Sequence, residues 1–572
     1  MVGASAGARA RDGELVAGAA MRIGVVAPAR ARDEVVAGAP VRVGRVAGAP
    51  VRVGGVAPAP VRIGLAVALA AALAAATGCK REGAPARVSG ALRLTITDGA
   101  GGPPVAARVL LWDGDAPVRW GTNDLYGGAR QVRGACEPAP GVLGTWHGLV
   151  VVGGAATIPV GVAAGGCEPL PAGRYRVWVW RGFEHERWEG EVTLGAGEVA
   201  LTVALERAWR AEGAVAADLH VHAAASNDSG LPDRWRVMAQ VAAGVEVIAL
   251  SDHAVHGDLD RAIAELGLGG VVGSLASNEA GNDVLHLGVY PVPVDRGQPR
   301  GGSPAPAEMA TWTPAQMMAW GRGLGTAERP VMVQVNHPRF RMYSLFDSAR
   351  WDGVRWPPPF PLDFDAVEVV AGHTAFNAPG DRRLDESVRD FYTFAAHGVR
   401  VTGVGGSDTH HLNGVLDGVA RTYVLVDDEA RRLDDDAVVA ALRARRAVAT
   451  TGPWLDVEVV DAGGGAAVGP GQTLRAPSGR VRIDVEVAQA RWVRARRVRV
   501  LVGGAVAREE ELSDGARRHR VTMEVDVTAP TWIGVDAGGD EPLPVEMTGA
   551  YQQEKRRPGV VPFAIVNPIW IE

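Results

Sequence analysis

The chain has 572 residues, of which 47% are hydrophobic and 22% charged, and its net charge at neutral pH is −6. This length allows about two to four domains with buried cores. There is neither a basic stripe typical of nucleic-acid binding nor an acidic tail that would suit a basic partner. We therefore expect no nucleic acid among its partners.

Residues 1–60 contain a decapeptide quasi-repeat with Pro or Gly in each unit: AGAPVRVGRV, AGAPVRVGGV, APAPVRIGLA. The repeat has few aromatic residues and no helical or strand period that lasts, so it offers little to pack into a core. We predict a disordered low-complexity segment over 1–60.

Residues 61–79 have the layout of an export signal. Arg62 precedes the apolar stretch IGLAVALAAALAAA, and small residues then lead to Cys79. The apolar run is short for a membrane span, and a small residue directly before Cys resembles a bacterial lipoprotein cleavage site, although Ala76 stands where leucine is commoner. We predict an exported lipoprotein on the periplasmic or outer-membrane side that touches the membrane only through a lipid on Cys79. An ordinary signal peptide or a retained anchor is the alternative.

Residues 85–210 contain short alternating runs rich in β-branched and aromatic residues, such as ALRLTIT, ARVLLW and RYRVWVW. Gly, Pro and Asp separate these runs, which predicts a β-sandwich. Cys136 and Cys167 lie in the similar contexts Ala-Cys-Glu-Pro and Gly-Cys-Glu-Pro. They are candidates for one disulfide in an oxidising compartment, with two buried thiols as the alternative.

Residues 212–455 change character, because apolar strands such as VEVIALSDH and VMVQVNHP alternate with helical stretches such as TPAQMMAWGRGLG. This alternation favours a parallel sheet or a barrel. Residues 456–572 return to strand-like runs, including RVRIDVEV and RVTMEVDV, and predict a second β-sandwich.

Histidines concentrate in the middle segment, where ten of the thirteen lie between 220 and 411. Five strand ends in succession carry histidine or carboxylate residues in the order His-x-His, Asp-His, Glu, His and Asp-x-His. The two imidazoles of His220 and His222 point the same way, since alternate residues of a strand share a face. Neutral imidazoles and carboxylates with few thiols suit zinc, manganese or iron at an open catalytic site. Such ions supply hydroxide near neutral pH.

The order of these residues resembles the PHP (polymerase and histidinol phosphatase) superfamily, and more finely its carbaryl-hydrolase-like branch. The matching pieces are DLHVHAAASNDS, VIALSDH, NEAGNDVLHLGVYPV, VQVNHPR, FDAVEVV and GVGGSDTH. The resemblance covers about 212–455. It implies a distorted (β/α)7 barrel, here flanked by N- and C-terminal β-sandwiches, and a cluster of two or three divalent ions, most simply zinc.

The resemblance also implies which residues bind the ions. The first ion would take His220, His222, Glu279 and Asp408. Glu279 would bridge to a second ion held with His337. The third ion would take Asp228, His253 and His410.

Four further residues are candidates for supporting roles. Asp252 would orient a ligand histidine. His286 is either a ligand or the acid that protonates a leaving group, with a structural histidine as the alternative. Arg339 is a candidate for binding a substrate oxyanion, or else a structural ion-pair partner. Glu368 would support the ligands or form a buried pair with arginine.

These features predict a hydrolase that cleaves an ester or carbamate of a small-molecule substrate with metal-bound hydroxide. A PHP-type phosphoesterase would use the same hydroxide and is the first alternative. A non-catalytic binding protein that contains metal is the second.

Overall fold

The computed structural model describes residues 89–120, 135–372, 382–427, 431–549 and 559–572. The predictions for 1–60 and 61–79, including the lipid-bearing Cys79, lie outside these residues. Within them, no helix combines the length and apolarity that a membrane crossing requires.

The N-terminal described part forms two sheets around a shared core. The strands are β1 Gly90–Asp98, β2 Ala107–Asp113, β3 Ala116–Pro117, β4 Cys136–Ala139, β5 Val142–Thr145, β6 Gly148–Val151, β7 Ala155–Val160, β8 Gly173–Trp180, β9 Trp188–Leu194 and β10 Gly197–Leu205. One sheet has the order β10-β1-β7, and the other β4-β5-β6-β2-β8-β9 with β3 paired to β2. Alternate residues of β1, such as Leu92 and Leu94, are fully buried because successive strand side chains point to opposite faces. The structure joins Cys136 to Cys167 in a disulfide, which confirms that prediction.

The middle segment supplies ten strands and most of the helices in the described residues. The strands are β11 Ala214–Val221, β12 Val247–Leu250, β13 Gly273–Ala276, β14 Asn278–Gly281, β15 His286–Tyr290, β16 Met332–Val335, β17 Ala366–Ala371, β18 Thr402–Gly406, β19 Arg421–Leu425 and β20 Ala447–Thr450. The helices are α1 Asp233–Ala242, α2 Asp260–Glu265, α3 Pro306–Met309, α4 Pro314–Gly323, α5 Leu345–Ser348, α6 Arg383–Ala396 and α7 Asp435–Arg443, with a 3-10 turn at Pro299–Gly302. Strands β14 to β18 form one sheet in chain order.

The C-terminal part continues a sheet that begins in the middle segment. Its elements are β21 Trp454–Asp461, β22 Thr473–Leu474, β23 Arg480–Ala488, β24 Arg497–Val502, β25 Ala505–Glu511, β26 Arg518–Asp526, β27 Thr531–Gly538, α8 Val545–Thr548, β28 Phe563–Val566 and β29 Ile569–Ile571. An eleven-stranded sheet has the order β13-β12-β11-β19-β20-β28-β27-β24-β25, with β29 paired to β27 and β22 to β29. Strands β21, β23 and β26 form a separate three-stranded sheet.

The predicted (β/α)7 barrel between two sandwiches is wrong. Of the described residues, 39% are strand and 15% helix, and the strands form five sheets without a closed barrel. Strand β11 explains why. One of its edges pairs in parallel with β12 and the other in antiparallel with β19, so its backbone groups are not available to pair along β18. Strands β19, β20 and β28 instead lead the sheet into the C-terminal part. The predicted domain boundaries themselves stay predictions.

Two contacts between sheets define where the site lies. Val221, at the end of β11, forms an isolated parallel bridge with Thr409, which follows β18. His253, after β12, forms a second one with Glu279 of β14. The carboxyl ends of strands from different sheets therefore meet at one place, although no ladder runs continuously around it.

Candidate metal centre

Buried strands deliver the histidines and carboxylates to this meeting point. Every residue of β11 is buried, since other elements cover both faces of this strand. His220 and His222 leave its carboxyl end with their imidazoles on the same side. Nine residues meet here, and we call them the ligand cluster: His220, His222, Asp228, His253, Glu279, His286, His337, Asp408 and His410.

The inner half of the ligand cluster is fully enclosed. The Nε2 atom of His220 lies 3.1 Å from Nε2 of His222, 3.1 Å from Oε1 of Glu279 and 3.3 Å from Oδ1 of Asp408. The Nε2 atom of His222 lies 3.2 Å from the same Asp408 oxygen. Nε2 of His337 is 3.3 Å from Oε1 of Glu279. Glu279 is therefore the common neighbour of the inner histidines.

The outer half of the ligand cluster opens toward solvent. Oδ2 of Asp228 lies 3.1 Å from Nε2 of His253 and 3.1 Å from Nε2 of His410. His253 turns its Nδ1 to Oε2 of Glu279 at 3.0 Å, and Nδ1 of His286 is 3.2 Å from Oε1 of Glu279. The Asp228 side chain is 47% exposed, so the cluster meets solvent on this side.

Hydrogen bonds from neighbouring groups orient the imidazole rings of the cluster. Nδ1 of His220 donates to the Glu368 carboxylate at 2.9 Å, so in the neutral ring the lone pair lies on Nε2, which faces inward. Ser226 donates to Asp228 at 2.7 Å and therefore accepts from Nδ1 of His222 at 3.2 Å. The Nε2 atoms of His220 and His222 thus face each other inside the cluster, 3.1 Å apart.

The same logic applies on the outer side. Nδ1 of His410 donates to the carbonyl oxygen of Asp408 at 3.0 Å, and its Nε2 faces Oδ2 of Asp228 at 3.1 Å. Burial would lower the pKa of His410, but its hydrogen bond to Asp228 raises it. Ring nitrogens and carboxylate oxygens about 3 Å apart in a buried site need a proton or a cation between them. The donor set therefore fits cations bound in place of these protons.

The cluster contains four overlapping groups that could hold a metal ion, each with its ligand atoms within 4.8 Å of one another. They are His222-Asp228-His253-His410, His220-His337-Asp408, His220-His222-Glu279 and His253-Glu279-His286. All eight residues indicated as metal ligands from the sequence occur in these groups, and His286 joins them.

Electrostatics within the cluster are strongly perturbed. Burial alone would raise the pKa of Glu279, but His220, His286 and His253 around it hold that pKa well below the usual range. Burial would lower the pKa of His220, yet Asp408, Glu279 and Glu368 raise it well above its ordinary value. The pKa of His222 falls well below normal, because burial and the neighbouring His410 both disfavour its charged form. This shift keeps Glu279 in its ionised form.

Backbone strain concentrates at two of the ligands. His337 has φ 27° and Asp408 has φ 52°, values that residues other than glycine rarely adopt. The amide of His337 donates to Oε2 of Glu368 at 2.5 Å, and the amide of Asp408 donates to the carbonyl of His220 at 2.8 Å. These bonds hold the chain in the strained conformation that turns both side chains inward.

Glu368 has the supporting role that was one of its two alternatives. Its two oxygens bind the His220 ring and the His337 amide, and the side chain is fully buried. Sequence reasoning missed Asn336, which donates to Oε1 of Glu279 at 2.8 Å, and Ser226, which orients His222. Proximity to His337 and Asp228 in the chain was the available signal for these two residues.

The hydrogen bonds of Asp252 and Arg339 go to groups other than the ligand atoms. Asp252 is fully buried and accepts a hydrogen bond from the amide of Ala223 at 2.6 Å, so it braces the chain after His222. Burial raises its pKa to about 6. Arg339 donates to Asp390 at 2.6 Å and to Asp347 at 3.1 Å, which matches its structural alternative.

Aromatic side chains flank one side of the cluster. The Phe340 ring lies 5.5 Å from the His337 ring, and the Tyr343 ring stacks on His286 at 5.0 Å. Tyr343 is 41% exposed and Met342 58% exposed. The segment 340–343 therefore gives the open side of the site an apolar border.

Comparison with known proteins adds no relative: the chain matches no family model and no curated protein.

Proposed function

We propose that the chain is a metal-dependent hydrolase that cleaves an ester or carbamate of a small-molecule substrate. The observation that carries this proposal is the convergence of six histidines, two aspartates and Glu279 in four overlapping groups whose ligand atoms lie within 4.8 Å of one another. Zinc suits these nitrogen and oxygen donors best, with manganese or iron as alternatives, and the four overlapping groups leave room for two or three ions. Divalent ions there would activate water and polarise the bond to be cleaved.

The protein's own residues define the rest of the reaction site. Glu279 contacts both halves of the cluster and would hold neighbouring ions at a fixed separation. Burial lowers the pKa of His286, which favours the neutral imidazole that binds a metal ion over a proton-donating acid. The exposed edge at Asp228 is the side from which substrate would enter.

The border of the site favours an ester or carbamate over a phosphoester. Phe340, Met342 and Tyr343 offer apolar surface that suits an organic leaving group. The guanidinium of Arg339, the candidate for binding an oxyanion, is engaged by Asp390 and Asp347 instead. A phosphoester hydrolase remains the second candidate, because the same ions would polarise a phosphoryl oxygen.

The order of the ligands along the chain, which resembles that of the PHP superfamily, is an independent support for hydrolysis. We propose relationship to that superfamily on the ligand residues alone, and its barrel is no part of the proposal. We also propose that the protein works outside the cytoplasm. The Cys136–Cys167 disulfide supports this location, since such bonds persist in oxidising compartments.

Metal analysis followed by a substrate panel tests the function. We expect tightly bound transition metal in the purified chain, and turnover of aryl esters or carbamates that disappears with a chelator and returns with zinc or manganese. Turnover of phosphoesters alone would favour the second candidate. Tight metal without turnover of any of the three classes would favour a non-catalytic binding protein, and the absence of tight metal would overturn the proposal entirely.

A further inference from the structure

Behind the ligand cluster lies a buried group of three charged residues, the Asp417 triad: Arg108, Arg236 and Asp417. Oδ1 of Asp417 accepts from Arg236 at 2.5 Å, and its Oδ2 accepts from Arg108 at 3.1 Å. The side chains of Asp417 and Arg236 are 0% exposed and that of Arg108 is 2% exposed. Charges so deeply buried need their partners, and losing one is costly.

Arg236, on α1, connects this triad to the metal ligands. Its Nε donates to the carbonyl of His222 at 2.9 Å. Its second terminal nitrogen donates to the carbonyl of Thr409 at 3.0 Å, and Thr409 lies between Asp408 and His410. One guanidinium therefore holds together the two chain segments that carry four of the ligands. Small shifts of Arg236 would displace ligands on both segments together.

Arg108 comes from a different part of the chain. It lies on β2 of the N-terminal sheets, 309 residues from Asp417 in sequence. Val150 and Leu143 of these sheets share a core with Val237 and Val241 of α1, so the helix is packed between β2 and the ligand segments. By fixing the second oxygen of Asp417, Arg108 determines where the first oxygen holds Arg236.

We infer that Arg108 is a positioning residue for the metal cluster, which acts through Asp417 and Arg236 on the backbone at His222 and Thr409. The N-terminal sheets are then part of the metal-binding apparatus rather than an attached module. This inference rests on the proposed metal centre, but not on which bond the enzyme cleaves.

The test compares Arg108→Met with Arg108→Lys in the full chain. Arg174→Met is the matched control, because Arg174 lies on β8 of the same sheet in an exposed pair with Glu191. Affinity for Zn²⁺ is measured by competition with a chelator, and the geometry of the site by the visible absorption spectrum of the Co²⁺ form. A melting curve for each metal-free variant separates metal binding from folding.

We expect Arg108→Met to weaken Zn²⁺ binding about tenfold, within the range for residues that support a metal ligand indirectly, and to shift the Co²⁺ spectrum. Arg108→Lys keeps the charge and should restore most of the affinity, while Arg174→Met should match the unchanged chain. If Arg108→Met yields no folded protein, Arg108→Gln replaces it with the same expectation.

The outcomes separate this inference from the proposed function. Tight Zn²⁺ in the unchanged chain, together with unchanged affinity and spectrum in Arg108→Met, would overturn the inference alone. Folding of Arg108→Lys but of neither neutral variant would also overturn it, because Arg108 would then serve folding rather than positioning. If the unchanged chain bound neither Zn²⁺ nor Co²⁺ tightly, the proposed function would be overturned and this inference with it.

Discussion

The ligand cluster and the Asp417 triad are both buried and both charged, and Arg236 touches each. They differ in how their polar atoms are matched. In the triad each carboxylate oxygen of Asp417 meets an N–H donor from arginine. In the ligand cluster, Nε2 of His220 and Nε2 of His222 face each other 3.1 Å apart. Burial and charge therefore do not distinguish the two regions, whereas the convergence of ring nitrogens in the ligand cluster does.

The difference implies that replacing one side chain affects a different property first in each region. The triad contains its own cations, so a substitution there should destabilise the metal-free fold and reach the metal site only through Arg236. The proposed metal centre takes its ions from outside, so a substitution among its ligands should disturb metal binding first. The four predictions below test this contrast.

The largest effect is expected from replacing His220 and His222 together by Ala. Both inward imidazoles are lost, so activity should fall to background, well beyond the 10- to 100-fold cost of losing a residue that only supports a ligand. Metal content and turnover are measured on the same preparation. The matched control replaces His256 and His397 by Ala, because these two histidines lie outside the cluster. Unchanged metal content in the His220/His222 variant would show that the cluster is not the metal site.

The Asp417→Asn variant tests the triad. It leaves Arg108 and Arg236 buried without their carboxylate, so the free energy of unfolding should fall by about 3–5 kcal/mol. Denaturant titration of the metal-free protein measures this change. Asp363→Asn, which breaks an exposed pair with Arg322, should cost about 0–1 kcal/mol. An equal loss of unfolding free energy in Asp417→Asn and Asp363→Asn would show that the triad does not stabilise the fold in the way described.

Glu368→Gln tests the hydrogen bonds that hold His220 and His337 in place. A glutamine side chain is uncharged and has a single acceptor oxygen. It cannot replace both carboxylate contacts of Glu368, to the His220 ring and to the backbone N–H of His337, so metal affinity should fall about 10- to 100-fold. Chelator competition measures the affinity, with the exposed Glu308→Gln as control. A change in melting temperature without a change in metal affinity would assign Glu368 to folding only.

Tyr343→Ala tests the apolar border, and its effect should be the smallest. Loss of one aromatic contact of about 0.5–1.5 kcal/mol lowers kcat/KM for aryl substrates by roughly 2- to 10-fold, mainly through KM. Alkyl esters should be turned over as before. Val354→Ala, at another exposed apolar side chain, is the control. An equal loss of kcat/KM for aryl and alkyl substrates would show that Tyr343 does not contribute to substrate selectivity.

The convergence of the residues in the ligand cluster could be predicted from sequence because the signal is local. A histidine or carboxylate directly after an apolar strand is visible without knowing which strands pair. The disulfide could be predicted for a similar reason, since Cys136 and Cys167 share their local context.

The sheet order could not be predicted in this way. Each apolar run of the middle segment is buried on both faces, and such a run does not reveal whether its neighbour is parallel or antiparallel. The antiparallel insertion of β19 beside β11 therefore escaped prediction, and a barrel was expected instead. The Asp417 triad could not be predicted either, because the sequence around Arg108 does not indicate that it pairs with a carboxylate 309 residues away.

Strand β28 has a consequence for how the protein is made. It lies between β20 and β27 in the sheet that also contains β11, and 113 residues separate Thr450 of β20 from Phe563 of β28. At about 5–20 residues per second, a ribosome needs roughly ten seconds to synthesise that interval. If β20 folded before β28 was made, its unpaired edge would be a template for aggregation.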